Sequence, residues 1–266
     1  MNLTLKEEDY KKKSKFETNF AFKKRLTDPR FGEISIVQNP KTRQLLAVRE
    51  RKINDKKTAG QEIVNCKHRL GHKHPNLLNL LDYSVTKQSE LCSSFYVLKE
   101  FFEYPRSDLA REIQMKEREG ETMSHKDLTH ILYQQIAVNS YLQNKDMSHG
   151  DIQPINITWD KSTKNSKLID KSTDSMDPKR AMQIQKNRFV SGHKLYQSPT
   201  LYSKLKKGNL QSDHNRSKED TFALGLSLLE AGNGKSVQNI YNKAKGEVDN
   251  EKLNEHVREF ENRYGQ

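Results

Sequence analysis

The stretch His149-Gly150-Asp151-Ile152-Gln153-Pro154-Ile155-Asn156-Ile157 decides how the rest of this 266-residue chain is read. An aspartate and an asparagine five residues apart on one short loop can point into a common site. Asp151 can accept a proton from a hydroxyl, while the side-chain carbonyl of Asn156 suits a hard cation such as Mg²⁺. The same two residue types also hold turns together through side-chain-to-backbone hydrogen bonds. The neighbouring sequence has to separate these readings.

Downstream, Leu168-Ile169-Asp170 reads as a short apolar strand that ends in a carboxylate suited to bridging metal and phosphate oxygens. Upstream, Ser124-His125-Lys126-Asp127 has the form of a helix-start capping box. Leu128, Ile131, Leu132, Ile136 and Leu142 follow at helical spacing, which gives a helix to about Lys145. Further back, GEISIVQ from Gly32 and QLLAV from Gln44 flank a charged turn and predict a β-hairpin. A short helix is expected over Gln61–Leu70, with strands over Leu77–Ser84 and Phe95–Phe101. A buried helix is expected over Thr221–Ala231. Strands with one helix, followed mainly by helices, make an α+β chain of two lobes.

In this order the motifs resemble the catalytic loop and metal-binding aspartate of eukaryotic-type protein kinases. The resemblance extends over about residues 22–232. Leu26–Ile34, with Gly32, sits where the glycine-rich loop belongs, and Leu45-Leu46-Ala47-Val48-Arg49 looks like the third strand, with Arg49 in the lysine's place. Glu62 is similar to the glutamate of the N-lobe helix, and His74-Pro75-Asn76 to the turn before the fourth strand. Tyr96–Phe101 looks like the fifth strand and hinge, which puts Lys99 at the gatekeeper position with Glu100 after it. Tyr196–Pro199 resembles the end of the activation segment, and Asp220–Gly225 the start of the buried C-lobe helix.

The resemblance implies a small antiparallel β N-lobe with one helix (about 21–102) and a larger helical C-lobe (about 103–266), after a polar extension over 1–20. It implies ATP and Mg²⁺ as cofactors. Asp151 would stand in the base position, with Asn156 and Asp170 as Mg²⁺ ligands and Gly32, Ala47, Arg49, Glu62, Lys99 and Glu100 around the nucleotide.

The departures cluster on phosphate handling. Thr27 and Pro29 replace two loop glycines, and proline has no N–H to offer a phosphate. Arg49 keeps the lysine's charge with a different shape and hydration. Gly150 and Gln153 stand where the catalytic loop carries arginine and lysine, and Lys171-Ser172 follows the metal aspartate. Thr200 replaces the glutamate that anchors the C-lobe, and that lobe is expected to be short, without the helix carrying its arginine partner. Each lost donor or charge typically costs about 10²–10³ in rate. The expectation is a pseudokinase with weak or no phosphoryl transfer acting as a regulatory or binding module, with ATP/Mg²⁺ binding, whether retained, weak or absent, left open. The alternative is a divergent active Ser/Thr-type kinase acting on protein hydroxyls.

Composition narrows the field further. A hydrophobic fraction of 33% with 31% charged residues, and no long apolar run, leaves no membrane span. Two cysteines, Cys66 and Cys92, imply no disulfide framework and an intracellular, cytoplasmic setting. The net charge of +12 is scattered, with short clusters such as Lys11–Lys13, and no aromatic residues interleave with it. That pattern argues against nucleic acid, and the resemblance implies a protein partner or substrate. Cys66, His68, His72 and His74 could be read as zinc ligands, although their spacing matches no familiar site.

Overall fold

The computed structural model describes residues 5–28, 32–78, 80–90, 93–105, 107–169, 186, 194–208 and 215–265. The chain forms two compact units, Met1–Pro105 and Arg106–Gln266.

The N-terminal unit is a five-stranded antiparallel sheet with one long helix. Strands β1 (Ala21–Asp28), β2 (Gly32–Gln38), β3 (Leu45–Ile53), β5 (Leu80–Glu90) and β6 (Ser93–Glu103) lie in the order β1-β2-β3-β6-β5. A two-residue β4 (Leu77–Leu78) precedes β5. Helix α2 (Lys56–Gly71) starts where the Asp55 side chain accepts a hydrogen bond from the Thr58 amide, and its Ile63 and Cys66 are buried. The expected short helix is thus extended by a further turn at its N-terminal end.

Period-two alternation divides β3 between two environments. Leu46 and Val48 join Phe101 in a cluster roofed by Phe16, Phe20 and Val37. Ala47, Arg49 and Arg51 point to the other face. Phe16 and Phe20 belong to the segment before the first strand, which is folded: a 3-10 turn (Glu7–Lys11) and a short α1 (Phe16–Asn19). Tyr10 of this segment is buried, and the Val85 amide of β5 donates to the Lys12 carbonyl at 2.8 Å.

The C-terminal unit is mainly helical: α3 (Leu109–Arg118), α4 (His125–Gln143), α5 (Pro199–Lys206), α6 (Arg216–Asn233) and α7 (Asn250–Tyr264). A small hairpin joins β7 (Ile157–Asp160) to β8 (Asn165–Ile169), and β9 (Tyr241–Asn242) pairs with β10 (Glu247–Val248). The capping box behaves as its sequence implies, Ser124 Oγ accepting from the Asp127 amide at 3.1 Å. Leu128, Ile131, Val138 and Leu142 form the buried stripe of α4, whereas Leu132 and Ile136 face outward. Gln135 donates to Ser166 Oγ at 2.7 Å and Gln134 to the Lys164 carbonyl at 2.8 Å, tying α4 to the β8 hairpin. That tie fixes the loop between α4 and β7, which carries His149–Asn156. Among the described residues, no helix is long and apolar enough to cross a membrane.

Candidate functional site

In the N-terminal unit three of the candidate residues, Arg49, Glu62 and Glu100, join a network of charge with Arg51 and Arg69. Glu100 on β6 is fully buried. Arg49, opposite it on β3, grips it with two prongs, Nε to Oε2 at 2.8 Å and Nη2 to Oε1 at 3.0 Å. Arg69 of α2 donates to Oε1 at 2.9 Å, and Arg51 reaches Oε2 at 3.2 Å. Burial alone would raise the Glu100 pKa; Arg49 first, then Arg69 and Arg51, reverse this and hold it at about 2. Forked guanidinium–carboxylate pairs of this kind fix geometry as well as charge. Arg49 and Arg69 also stand over the Phe102 ring, 5.7 and 5.2 Å from its centroid.

Glu62 is buried on α2, and its partner is Arg51 at 2.9 Å. Arg49, the residue in the lysine's place, is turned to Glu100. Lys99 needs correcting. Alternation along β6 puts it on the face opposite Arg49 and Glu100, within 3.7 Å of Glu17 and 3.9 Å of Glu50. The residue across from Ala47 is Phe102, so no ammonium stands there. Gly32 closes the β1–β2 hairpin with φ 75°, paired with Asp28. Pro29 lies outside the described residues.

In the C-terminal unit Asp151 and Asn156 come together. Asn156 Nδ2 donates to Asp151 Oδ2 at 2.7 Å and to the Asp151 carbonyl at 2.8 Å. Gln153 Nε2 donates to Asp151 Oδ1 at 2.8 Å. Both carboxylate oxygens therefore accept amide N–H groups. Asn156 is fully buried, and its Oδ1 has no hydrogen-bond partner among the described residues. A buried amide oxygen without a partner is costly unless something else binds it.

The loop is held from beneath by Asp220 at the second turn of α6. Its carboxylate accepts the His149 amide at 2.6 Å and the Gly150 amide at 2.8 Å. Burial pushes the Asp220 pKa up, opposed by His149 and these two amides. His149 Nε2 lies 2.7 Å from the Ile169 carbonyl, which ties the loop to β8. Gly150 has φ 72°, a left-handed conformation that side chains with a Cβ adopt poorly. Glycine in place of arginine thus matches the backbone as well as removing a charge. Asp170 lies outside the described residues, as do Lys171 and Ser172.

Thr200 is exposed in the first turn of α5, so the C-lobe anchor is built differently. Tyr196 Oη donates to Glu230 at 2.8 Å, Lys194 pairs with the same carboxylate at 2.9 Å, and Ser198 Oγ donates to Glu219 at 2.6 Å. Arg51, Arg69, Glu219 and Glu230 escaped the sequence reading because each acts through a partner far away in sequence. The zinc reading fails on chemistry. Cys66 is fully buried, with burial pushing its thiol up to about 12, which opposes the thiolate that zinc requires. His72 Nε2 is nearly equidistant from both His68 ring nitrogens, at 3.1 and 3.2 Å, with the two rings tilted 57° to one another, a ring-against-ring contact rather than convergent lone pairs.

Comparison with known proteins agrees with this geometry. A family profile described as the protein kinase domain matches residues 20–263, and the chain belongs to that family. Among curated proteins, no relative matches it.

Proposed function

We propose that this protein kinase domain is a pseudokinase, a regulatory or protein-binding module with weak or no phosphoryl transfer, working in an intracellular, cytoplasmic setting. The observation that carries the reading is the forked pair between Arg49 and buried Glu100, reinforced by Arg51 and Arg69. The cation expected to meet nucleotide phosphates is engaged inside its own unit. Releasing it would leave a buried carboxylate short of a partner, a costly step. Asp151 is similarly occupied, since Gln153 takes the oxygen that a substrate hydroxyl would need.

One observation favours retained Mg²⁺ binding. The buried Asn156 Oδ1, without a hydrogen-bond partner among the described residues, is the type of oxygen that such a cation takes. Asn156, with Asp170 by resemblance, would hold the ion, which supplies charge neutralisation for nucleotide phosphates. Asp151 would then orient a protein hydroxyl in the alternative reading, a divergent Ser/Thr kinase. Thermal melting with and without millimolar Mg²⁺·ATP separates these outcomes. The pseudokinase reading expects little or no shift and no phosphate transfer. A clear shift with transfer that vanishes in Asp151→Asn would replace it by the enzyme reading.

A further inference from the structure

The folded segment before β1 behaves as a strap across the β5 edge and α2. Tyr10 sits on Gly60, where an added Cβ would lie 2.8 Å from the tyrosine hydroxyl. Its ring packs 5.5 Å from Tyr96. Lys56 and Lys67 of α2 pair with Glu7 and Asp9 of the strap. At the strap's centre lies Ser14, only 4% exposed. Its Oγ donates to Asp82 Oδ2 at 2.7 Å and accepts the Phe16 amide at 3.2 Å, and its own amide donates to Glu17 Oε2 at 3.3 Å. Lys12 also pairs with Asp82, but its ammonium is shared with the Tyr83 carbonyl.

Ser14 follows Lys11-Lys12-Lys13 and precedes Lys15. Lys11, Lys13 and Lys15 are exposed, so the basic flank is presented to solvent while the hydroxyl is turned inward against carboxylates. We propose that Ser14 is a phosphorylation site for a lysine/arginine-directed protein kinase, and that its modification displaces the strap from β5 and α2. Transfer forms a bond between Ser14 Oγ and the γ-phosphorus of ATP and breaks the bond to the β,γ-bridging oxygen. ADP leaves, and the hydroxyl proton passes to solvent. The acceptor is reached when the strap opens locally, breaking its polar contacts together with the packing of Tyr10, Phe16 and Phe20. Once attached, a phosphate of charge about −1.5 to −2 cannot return beside Asp82 and Glu17 without like-charge repulsion and desolvation. The inference is independent of whether this chain transfers phosphate itself.

The test treats the full chain with Mg²⁺·ATP and a purified lysine/arginine-directed serine kinase, followed by mass spectrometry and amide hydrogen exchange. The expected result is phosphate on Ser14, with exchange over residues 5–20 and α2 faster by about tenfold or more. An unmodified Ser14, or a phosphorylated Ser14 with unchanged exchange, would overturn the proposal. A purely structural serine is distinguished by melting Ser14→Ala and Ser14→Glu, each alone and with Asp82→Asn. Glutamate should lower Tm more than alanine, and the gap should shrink when Asp82 is neutralised. Equal effects, or a gap indifferent to Asp82, would count against it.

Discussion

The two units handle their charged site residues in different ways. Around Glu100, three arginines converge on one buried carboxylate and reach both of its oxygens, although Arg51 Nε finds no partner among the described residues. Around Asp151, the carboxylate is half-buried and capped by neutral amides, while Asn156 Oδ1 is left without a partner. The first arrangement resembles a structural strut; the second leaves one buried amide oxygen, Asn156 Oδ1, without a hydrogen bond among the described residues. The positions that depart from the kinase pattern therefore sit in different surroundings. Arg49 has a partner within its own unit, in Glu100. The loop at Gly150 is held by the Asp220 anchor.

Substitutions can break this contrast, and the largest effect belongs to the buried network. Glu100→Ala leaves three guanidinium groups around an uncompensated site and should cost about 3–5 kcal/mol, read from urea unfolding. Asp220→Ala strips acceptors from the His149 and Gly150 amides, at about 1–3 kcal/mol for each unsatisfied buried group. Its effect should be felt as loosened exchange in the 149–156 loop. Acid titration comes next. The Glu100 pKa is depressed from 4.5 to about 2, so its contribution is fully present above pH 4.5 and drains away as pH falls toward 2. Glu100→Gln should flatten that part of the pH–stability profile. The smallest effect is expected for Arg49→Lys, about 1 kcal/mol, because a single ammonium replaces one fork while Arg51 and Arg69 remain. Mg²⁺·ATP should still give no transfer in that variant, since Gln153 continues to cap Asp151. Gain of transfer would show that Arg49 alone holds the domain inactive.

Much of the fold was legible because its signals are local. Ser124 and Asp127 mark a helix start through contacts three residues apart, and the alternating residues of β2 and β3 announce their hairpin. The Asp151–Asn156 loop is equally local, and its spacing suffices to bring the two side chains together. Lys99 was misplaced because one position along a strand exchanges one face for the other. The register of β3 on β6, with Ala47 across from Phe102, depends on a pairing between distant segments. Residues 1–20 read as a polar extension because the anchors among them, Tyr10, Ser14 and Phe16, are scattered among charges. Only β5, α2 and the sheet face show what those residues pack against. Arg69, fully buried in a polar helix, has no sequence signal apart from its partner Glu100.

The most direct measurement is phosphoryl transfer from radiolabelled ATP to the chain and to generic protein acceptors, in Mg²⁺, comparing the native protein with Asp151→Asn. The pseudokinase account predicts at most a trace of transfer by the native protein, close to the level of Asp151→Asn. Multiple-turnover transfer by the native protein that disappears in Asp151→Asn would contradict it.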